Sequence, residues 1–325
     1  MPKLRIGFIG AGSIAVGHAK RLAATGLAEV VALADPNEQS IERLKQQCPE
    51  ASAARAFRDY TQMLDSMALD AVEILSPHTL HAEQILAALG RGLHVLCEKP
   101  MTCTVEEARQ VIARRDETGK ILMISYQRHY HPAYRYMREL ATGGKLGRLN
   151  ALVLVLTQEW LRATAGTWRQ DPMLSGGGQL NDSGSHIVDM MLWCTGLQPS
   201  TVYAQINNYG APVDVDTALT VRFQGNAIGN VTILGSTPGY WEMFAIHGSE
   251  GSVSYDTTIG LLQHFHGREP EKPELPEPSS DPDANFVRAI LGLEEVQTPA
   301  ECGLAVISFT EAAWRSAATG KPVTI

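Results

Sequence analysis

The chain has 325 residues, enough for two domains with separate cores, and 44% hydrophobic with 19% charged residues is the balance of a globular protein. A formal net charge of -8 excludes broad phosphate-backbone binding, which requires a basic face, so no nucleic-acid partner is expected. No run of about 18 apolar residues occurs, the N-terminus runs straight into a strand pattern, and Cys48, Cys97, Cys103, Cys194 and Cys302 are scattered like reduced thiols. These features predict a cytoplasmic protein with no membrane partner.

Residues 4–9 form an apolar run that meets Gly10-Ala11-Gly12-Ser13-Ile14-Ala15 at once. That order is strand, tight glycine turn, helix. Gly10 permits the turn, Gly12 lets backbone approach a pyrophosphate, and the small Ala15 allows close packing of helix on strand. Ser13 and Ile14 open the helix, whose free N–H groups and dipole favour an anion. A second strand pattern over 29–34 ends in Asp35, about twenty residues on, where a carboxylate accepts hydrogen bonds from an adenosine ribose. Asp35 would repel a 2′-phosphate, and Pro36-Asn37-Glu38 offer no cation to receive one, so NAD is expected rather than NADP.

The alternation continues. Helical patterns over 41–47, 60–67, 81–89 and 104–115 are interleaved with strands over 53–57, 71–75, 93–97 and 121–124. Glu106 and Glu107 stand in the first turn of the last helix, as the macrodipole prefers. Such alternation predicts an α/β Rossmann domain, a doubly wound parallel sheet, over residues 1–125. The strand ending at Cys97 runs into Glu98-Lys99-Pro100. Proline ends the ladder there, and the lysine sits at a carboxyl strand end, where open α/β sheets bind ligands.

Residues 126–325 read differently. After a helix over 132–141 come long extended stretches at 148–159, 200–208, 217–223, 227–234, 241–247, 251–255 and 261–265. Several alternate apolar with polar residues, which predicts an α+β domain with a large, mainly antiparallel open sheet, one face packed on a core. Residues 268–283, rich in proline and acids, read as a surface loop before helices near 285–291 and 299–319 and a last short strand.

With Gly10-Ala11-Gly12, Asp35, Ser76-Pro77-His78-Thr79-Leu80-His81, Glu98-Lys99-Pro100, Gly176-Gly177-Gly178 and Asp182-Ser183-Gly184-Ser185-His186-Ile187-Val188-Asp189 in this order, the chain resembles the glucose–fructose oxidoreductase/inositol dehydrogenase (Gfo/Idh/MocA) family. The match spans essentially the whole length. His78 stands where many members have asparagine. The resemblance implies an NAD-dependent dehydrogenase or reductase acting on a secondary hydroxyl of a sugar, cyclitol or sugar derivative. It places Ser76, His78, His81, Glu98 and Lys99 around the cofactor, makes the Lys99–Pro100 bond cis, and implies a homodimer or homotetramer paired through the open sheet.

Oxidising an alcohol sends a hydride to nicotinamide and a proton to a base, a role suited to histidine. Asp182 and His186 are four apart in a helical pattern, hence on one face, with Asp189 and Trp193 continuing the stripe. His186 is read as the general base, Lys99 as the cation that stabilises charge on the same oxygen, and Asp182 as a group that orients substrate or tunes Lys99. The roles of Lys99 and His186 can be exchanged. Trp168 and Arg169, with Trp160, suit a polyhydroxylated ring, although a core or subunit interface explains the tryptophans equally well. Arg128 is either a substrate contact or half of a structural ion pair. No metal is expected: the closest histidine pairs, His78/His81 and His264/His266, belong to no cluster with zinc-site spacing. Two other readings use the same residues: a redox-neutral glycosidase with tightly held NAD, and a non-catalytic dinucleotide-binding sensor.

Overall fold

A computed structural model describes residues 2–278 and 280–325. They form two compact units. The first comprises the chain through Thr102 with Glu106–Gln127 and Ser280–Gly303; the second comprises Cys103–Val105, the chain from Arg128 to the loop before Ser280, and Leu304–Ile325. The change of unit after Gln127 falls two residues beyond the expected 125. The return of 280–303 to the first unit was not legible in the sequence.

In the first unit, strands β1 (Leu4–Ile9), β2 (Ala28–Ala34), β3 (Arg55–Phe57), β4 (Ala71–Ile74), β5 (His94–Cys97) and β6 (Leu122–Ile124) alternate with helices α1 (Ser13–Ala24), α2 (Glu38–Gln47), α3 (Tyr60–Ser66), α4 (His81–Gly90) and α5 (Val105–Thr118). All strand pairs are parallel, in the order β3-β2-β1-β4-β5-β6. Every residue of β4 is buried, as expected of a strand covered on both faces. The strand order reverses between β1 and β4, which opens a crevice at their carboxyl ends. The Gly10 turn follows β1 there and the Ser76 turn follows β4.

Two contacts explain why the late segment belongs to this unit. The amide of Ile124 in β6 donates to the Thr298 carbonyl at 3.0 Å. Asp283, near the start of a helix over Pro282–Ile290, bonds two residues of α1.

The second unit holds α6 (Pro132–Thr142), β7 (Leu149–Thr157), α7 (Trp160–Ala163), α8 (Pro172–Ser175), α9 (Gly184–Thr195) and strands β8 (Pro199–Asn207), β9 (Asp216–Phe223), β10 (Ile228–Leu234), β11 (Trp241–Gly248), β12 (Ser252–Asp256), β13 (Leu261–Phe265) and β14 (Pro270–Glu271). The helix at Pro282–Ile290 is α10, and α11 (Ala300–Thr319) precedes β15 (Val323–Thr324). The nine strands run β14-β13-β12-β11-β7-β10-β9-β8-β15. Two antiparallel meanders, β8-β9-β10 and β11-β12-β13-β14, flank β7, which pairs parallel with β10 and antiparallel with β11. The parallel pair exists because the chain leaves β7 through α9 before it returns, a crossover that a simple meander lacks.

Along β9 burial alternates strictly, with Ala218, Thr220 and Arg222 exposed between Thr217, Leu219, Val221 and Phe223. One sheet face is therefore core and the other open, as the alternation predicts. Residues 268–278 and 280–283 contain only the two-residue β14 and the start of α10, while Ser279 of the expected loop lies outside the described residues. Among the described residues no helix is long and apolar enough to cross a membrane.

Candidate active site

In the first unit the glycine turn has the properties a dinucleotide needs. Gly10 has φ +103°, and a Cβ there would stand 2.7 Å from the backbone of Leu75, so conformation and space both demand glycine. A Cβ on Gly12 would meet nothing within 4 Å, which leaves the approach to the helix open. Helix α1 has no side-chain cap and no acid in its first turn. Its first N–H groups, from Ser13 and Ile14 onward, are those that would hold a pyrophosphate. The carboxylate of Asp35 accepts from the amides of Ala11 and Asn37, both at 2.8 Å, and so joins the glycine turn to the end of β2. Spare lone pairs remain on both oxygens for a ribose. This cradle fits NAD.

The Ser76 turn is organised by side chains. Ser76 Oγ donates to Gln84 at 2.6 Å. His81 is wholly buried, with its ring nitrogens 2.8 Å from the Pro100 carbonyl and 2.9 Å from the Ser76 carbonyl. Burial, against two backbone hydrogen bonds, pushes its pKa down. His81 thus ties the turn after β4 to the proline after β5 and presents no face to a ligand. His78, 4% exposed, stands edge-on to His81 with ring centroids 5.8 Å apart. The Lys99–Pro100 bond is cis. Lys99 is half-buried, and Cys97 is buried at the end of β5.

Glu98 carries the larger electrostatic signal. Although burial opposes its ionisation, a hydrogen bond and charge from His18, the ammonium of Lys99 and a hydrogen bond from Ser125 hold its pKa down at about 2. Behind His18 lies Glu73 on β4, whose pKa burial and the neighbouring Asp283 push up to about 7. A carboxyl group whose pKa rises on folding stabilises the fold at low pH and loses that contribution as pH climbs from about 4.5 through 7. Glu73→Gln is therefore expected to flatten the fall in Tm between about pH 5 and pH 8 by a few degrees. Melting curves of both proteins across that range check it; parallel curves would show that Glu73 does not titrate there.

In the second unit Asp182 precedes α9, in the turn between the glycine run and the helix, whereas His186 lies in the first turn of α9. The helix expected over both thus starts two residues later, at Gly184. Asp182 Oδ2 accepts from Trp160 Nε1 at 2.9 Å and from Arg169 Nε at 3.0 Å. Asp182, Arg169 and Trp160 are therefore one constellation, which sequence spacing alone did not establish. Trp160, 4% exposed, packs with Val213 and Val215, so its ring is core and only its N–H serves the acid. The Arg169 guanidinium lies 4.5 Å from the centroid of the Trp168 ring. Trp168, with Gly166, Leu174 and Pro212, lines an open depression of about 530 Å³.

The lower half of the expected stripe is used differently. Asp189 lies 2.9 Å from His129 Nε2, and Trp193 stacks on the same imidazole with centroids 4.0 Å apart. Arg128 donates to Glu242 at 2.6 Å, and Tyr134 and Tyr240 donate to that carboxylate at 2.6 Å each. The structural ion pair is the alternative for Arg128 that this geometry favours.

No sequence signal pointed to Asp214. It is buried and accepts from the amides of Gly178 at 2.9 Å and Leu180 at 2.7 Å and from Trp314 Nε1 at 3.1 Å, so it shapes the glycine run that presents Asp182. Burial raises its pKa in spite of those bonds. No local pattern marks an acid that acts 36 residues away. A Cβ on Gly178 would stand 1.9 Å from the Asp214 carbonyl oxygen. Gly178→Ala is expected to destabilise the protein by ~3 kcal/mol, read as a lower denaturant midpoint.

Residues 4–126 match the model of an oxidoreductase family with an NAD-binding Rossmann fold, and residues 134–254 match the GFO/IDH/MocA C-terminal domain. The chain belongs to the GFO/IDH/MocA oxidoreductase family. Relatives include a levoglucosan dehydrogenase of Pseudarthrobacter phenanthrenivorans, 27% identical over 79% of this chain and 74% of that protein. A scyllo-inositol 2-dehydrogenase (NAD(+)) of Bacillus subtilis is 27% identical over 81% of this chain and 76% of its own length. Among solved structures, a levoglucosan dehydrogenase in complex with NADH superposes with a TM-score of 0.89 at 23% identity, covering 99% of each chain, which shows a shared fold. As a GFO/IDH/MocA member the protein is an NAD-dependent dehydrogenase or reductase acting on CH–OH groups.

Proposed function

We propose that this GFO/IDH/MocA member transfers a hydride between NAD and a secondary hydroxyl of a sugar, cyclitol or sugar derivative. The observation that carries the reading is the constellation before α9: an acid held by an indole N–H and a guanidinium, one turn ahead of a histidine. Asp182 is a carboxylate, an acceptor suited to a substrate hydroxyl, and Arg169 and Trp168 offer a fork of donors and an aromatic face to a ring bearing several oxygens. Bound NAD supplies the hydride acceptor. His186 accepts the hydroxyl proton as the C–H bond breaks, and Lys99 stabilises the negative charge that develops on the substrate oxygen. Gly10, Gly12, Ser13, Ile14 and Asp35 hold the dinucleotide, with Ser76, His78 and Glu98 bordering it.

The test follows nicotinamide absorbance while the protein and NAD meet a panel of cyclitols, free sugars, anhydrosugars and glycosides, levoglucosan and scyllo-inositol among them. Reduction of NAD with one compound is the expected outcome. Cleavage of a glycoside without net reduction would replace this reading with a redox-neutral hydrolase, and tight NADH binding with neither activity would favour a sensor. The open face of the nine-stranded sheet further suggests a homodimer or homotetramer. Light scattering at micromolar concentration is expected to return two or four chain masses, and a monomer there would refute the pairing.

A further inference from the structure

Behind Glu98, one buried charge cluster in the first unit lies outside the roles assigned so far. His18 is on the buried face of α1, among Ala15, Ala19 and Leu22, and its side chain is fully buried. Its Nδ1 is 2.8 Å from Asp283 Oδ1 on α10 and 3.1 Å from Glu73 Oε2 on β4, and its Nε2 is 3.2 Å from Glu98 Oε1. Arg21, one turn along α1, donates to the other Asp283 oxygen at 2.5 Å and lies 3.9 Å from Asp281. Glu73 and Asp283 are fully buried, and Glu98 keeps 15% exposure.

Three carboxyl groups thus converge on one imidazole. With both nitrogens facing acids, His18 is an imidazolium, a donor on both sides. Its pKa is raised although burial alone would lower it, because Asp283 and Glu73 outweigh the desolvation. Nδ1 has a single proton and directs it at Asp283, the nearer acid. Glu73 is left without a hydrogen bond of its own, which agrees with its readiness to hold a proton near neutrality. With that proton on Glu73, two anions face two cations. Ligating atoms of His18, Glu73 and Asp283 lie within 4.8 Å of one another, but the imidazolium and Arg21 already supply the positive charge a metal ion would bring.

We propose that His18 is a positioning residue for the catalytic corner: backed by Asp283 and Glu73, it holds the Glu98 carboxylate, and Glu98 in turn sets the place and electrostatic surroundings of the Lys99 ammonium. The arrangement makes chemical sense of a costly cluster. Removing His18, Glu73 and Asp283 from water is expensive, and an apolar packing would stabilise the unit as well. What the ions supply is direction. They bind α1, whose first turn takes the pyrophosphate, to the segment that presents Lys99, and the acid that backs them comes from a part of the chain 265 residues away. The inference rests on the proposed role of Lys99.

The test has one arm that needs no substrate. Lysines of the intact protein are converted to [13C]dimethyl-lysine, the Lys99 resonance is assigned by its absence in Lys99→Arg, and its shift is followed with pH beside that of labelled His18. In the wild type the His18 signals are expected to remain those of an imidazolium well above pH ~6.5, with an inflection in the Lys99 resonance where His18 loses its proton. In His18→Asn that inflection disappears. A His18 that is neutral at its ordinary pKa, or a Lys99 resonance identical in both proteins, overturns the proposal. Should His18→Asn not fold, Asp283→Asn serves, and the wild-type titration alone still decides whether the clamp is charged. With the polyol found in the panel, His18→Asn is expected to lower kcat by about tenfold or more with KM for NAD within about threefold, a split that mere loss of stability does not produce. If Lys99→Met keeps full turnover, the role of Lys99 fails; if Lys99→Met is inactive and His18→Asn is not impaired, the role of His18 fails.

Discussion

Lys99→Met is expected to abolish turnover while NADH still binds. Methionine keeps the length and much of the apolar stem of lysine but removes the ammonium, so a loss of activity with intact binding isolates the charge. In alcohol oxidation, negative charge grows on the oxygen as the proton leaves and the hydride departs. A cation fixed beside that oxygen stabilises the transition state more than the neutral ground state, and loss of such a group costs about 10²–10³ in kcat. The position is well held for this role. Val95, Leu96 and Cys97 of β5 are buried, the chain turns at Pro100, and His81 bonds the Pro100 carbonyl at 2.8 Å. The measurement is kcat by nicotinamide absorbance beside a fluorescence titration with NADH. Turnover within tenfold of wild type would remove Lys99 from the chemistry. Failure to bind NADH would instead assign it to the cofactor site.

The second large effect is expected at His186. His186→Ala should lower kcat by ~10²–10⁴, the range typical for loss of a general base. Added imidazole should restore part of the lost rate, because the cavity left by the side chain admits a free base. Rescue separates proton transfer from a packing role: a histidine needed only for structure leaves a variant that melts earlier and gains nothing from imidazole. Asp182→Asn provides the companion measurement. It keeps the shape of the acceptor but loses the charge that binds Arg169 and meets the Trp160 N–H. Its KM for substrate is expected to rise more than its kcat falls, since its assigned role is to orient.

Local pattern and tertiary structure contributed different things. The Rossmann order of strands and helices, the Gly10 turn, Asp35 at the end of β2 and the alternation of β9 were all legible, because each depends on periodicity or on backbone conformation within a few residues. The Glu98-Lys99-Pro100 corner was legible for the same reason, since proline stops a strand wherever it falls.

Partners distant in sequence were not legible. Asp214 supports the glycine run from 36 residues away, and Asp283 reaches His18 across 265. His81 and Arg128 have residue types that fit a ligand site, yet burial between two backbone carbonyls occupies His81 and the Glu242 carboxylate occupies Arg128. Sequence by itself determined that this chain builds a dinucleotide half and an open-sheet half and carries a lysine and an acid–histidine pair suited to alcohol chemistry. Only the tertiary structure decided which acids are held by which donors, because burial and the distance between charges set their protonation, and neither is a property of neighbours along the chain.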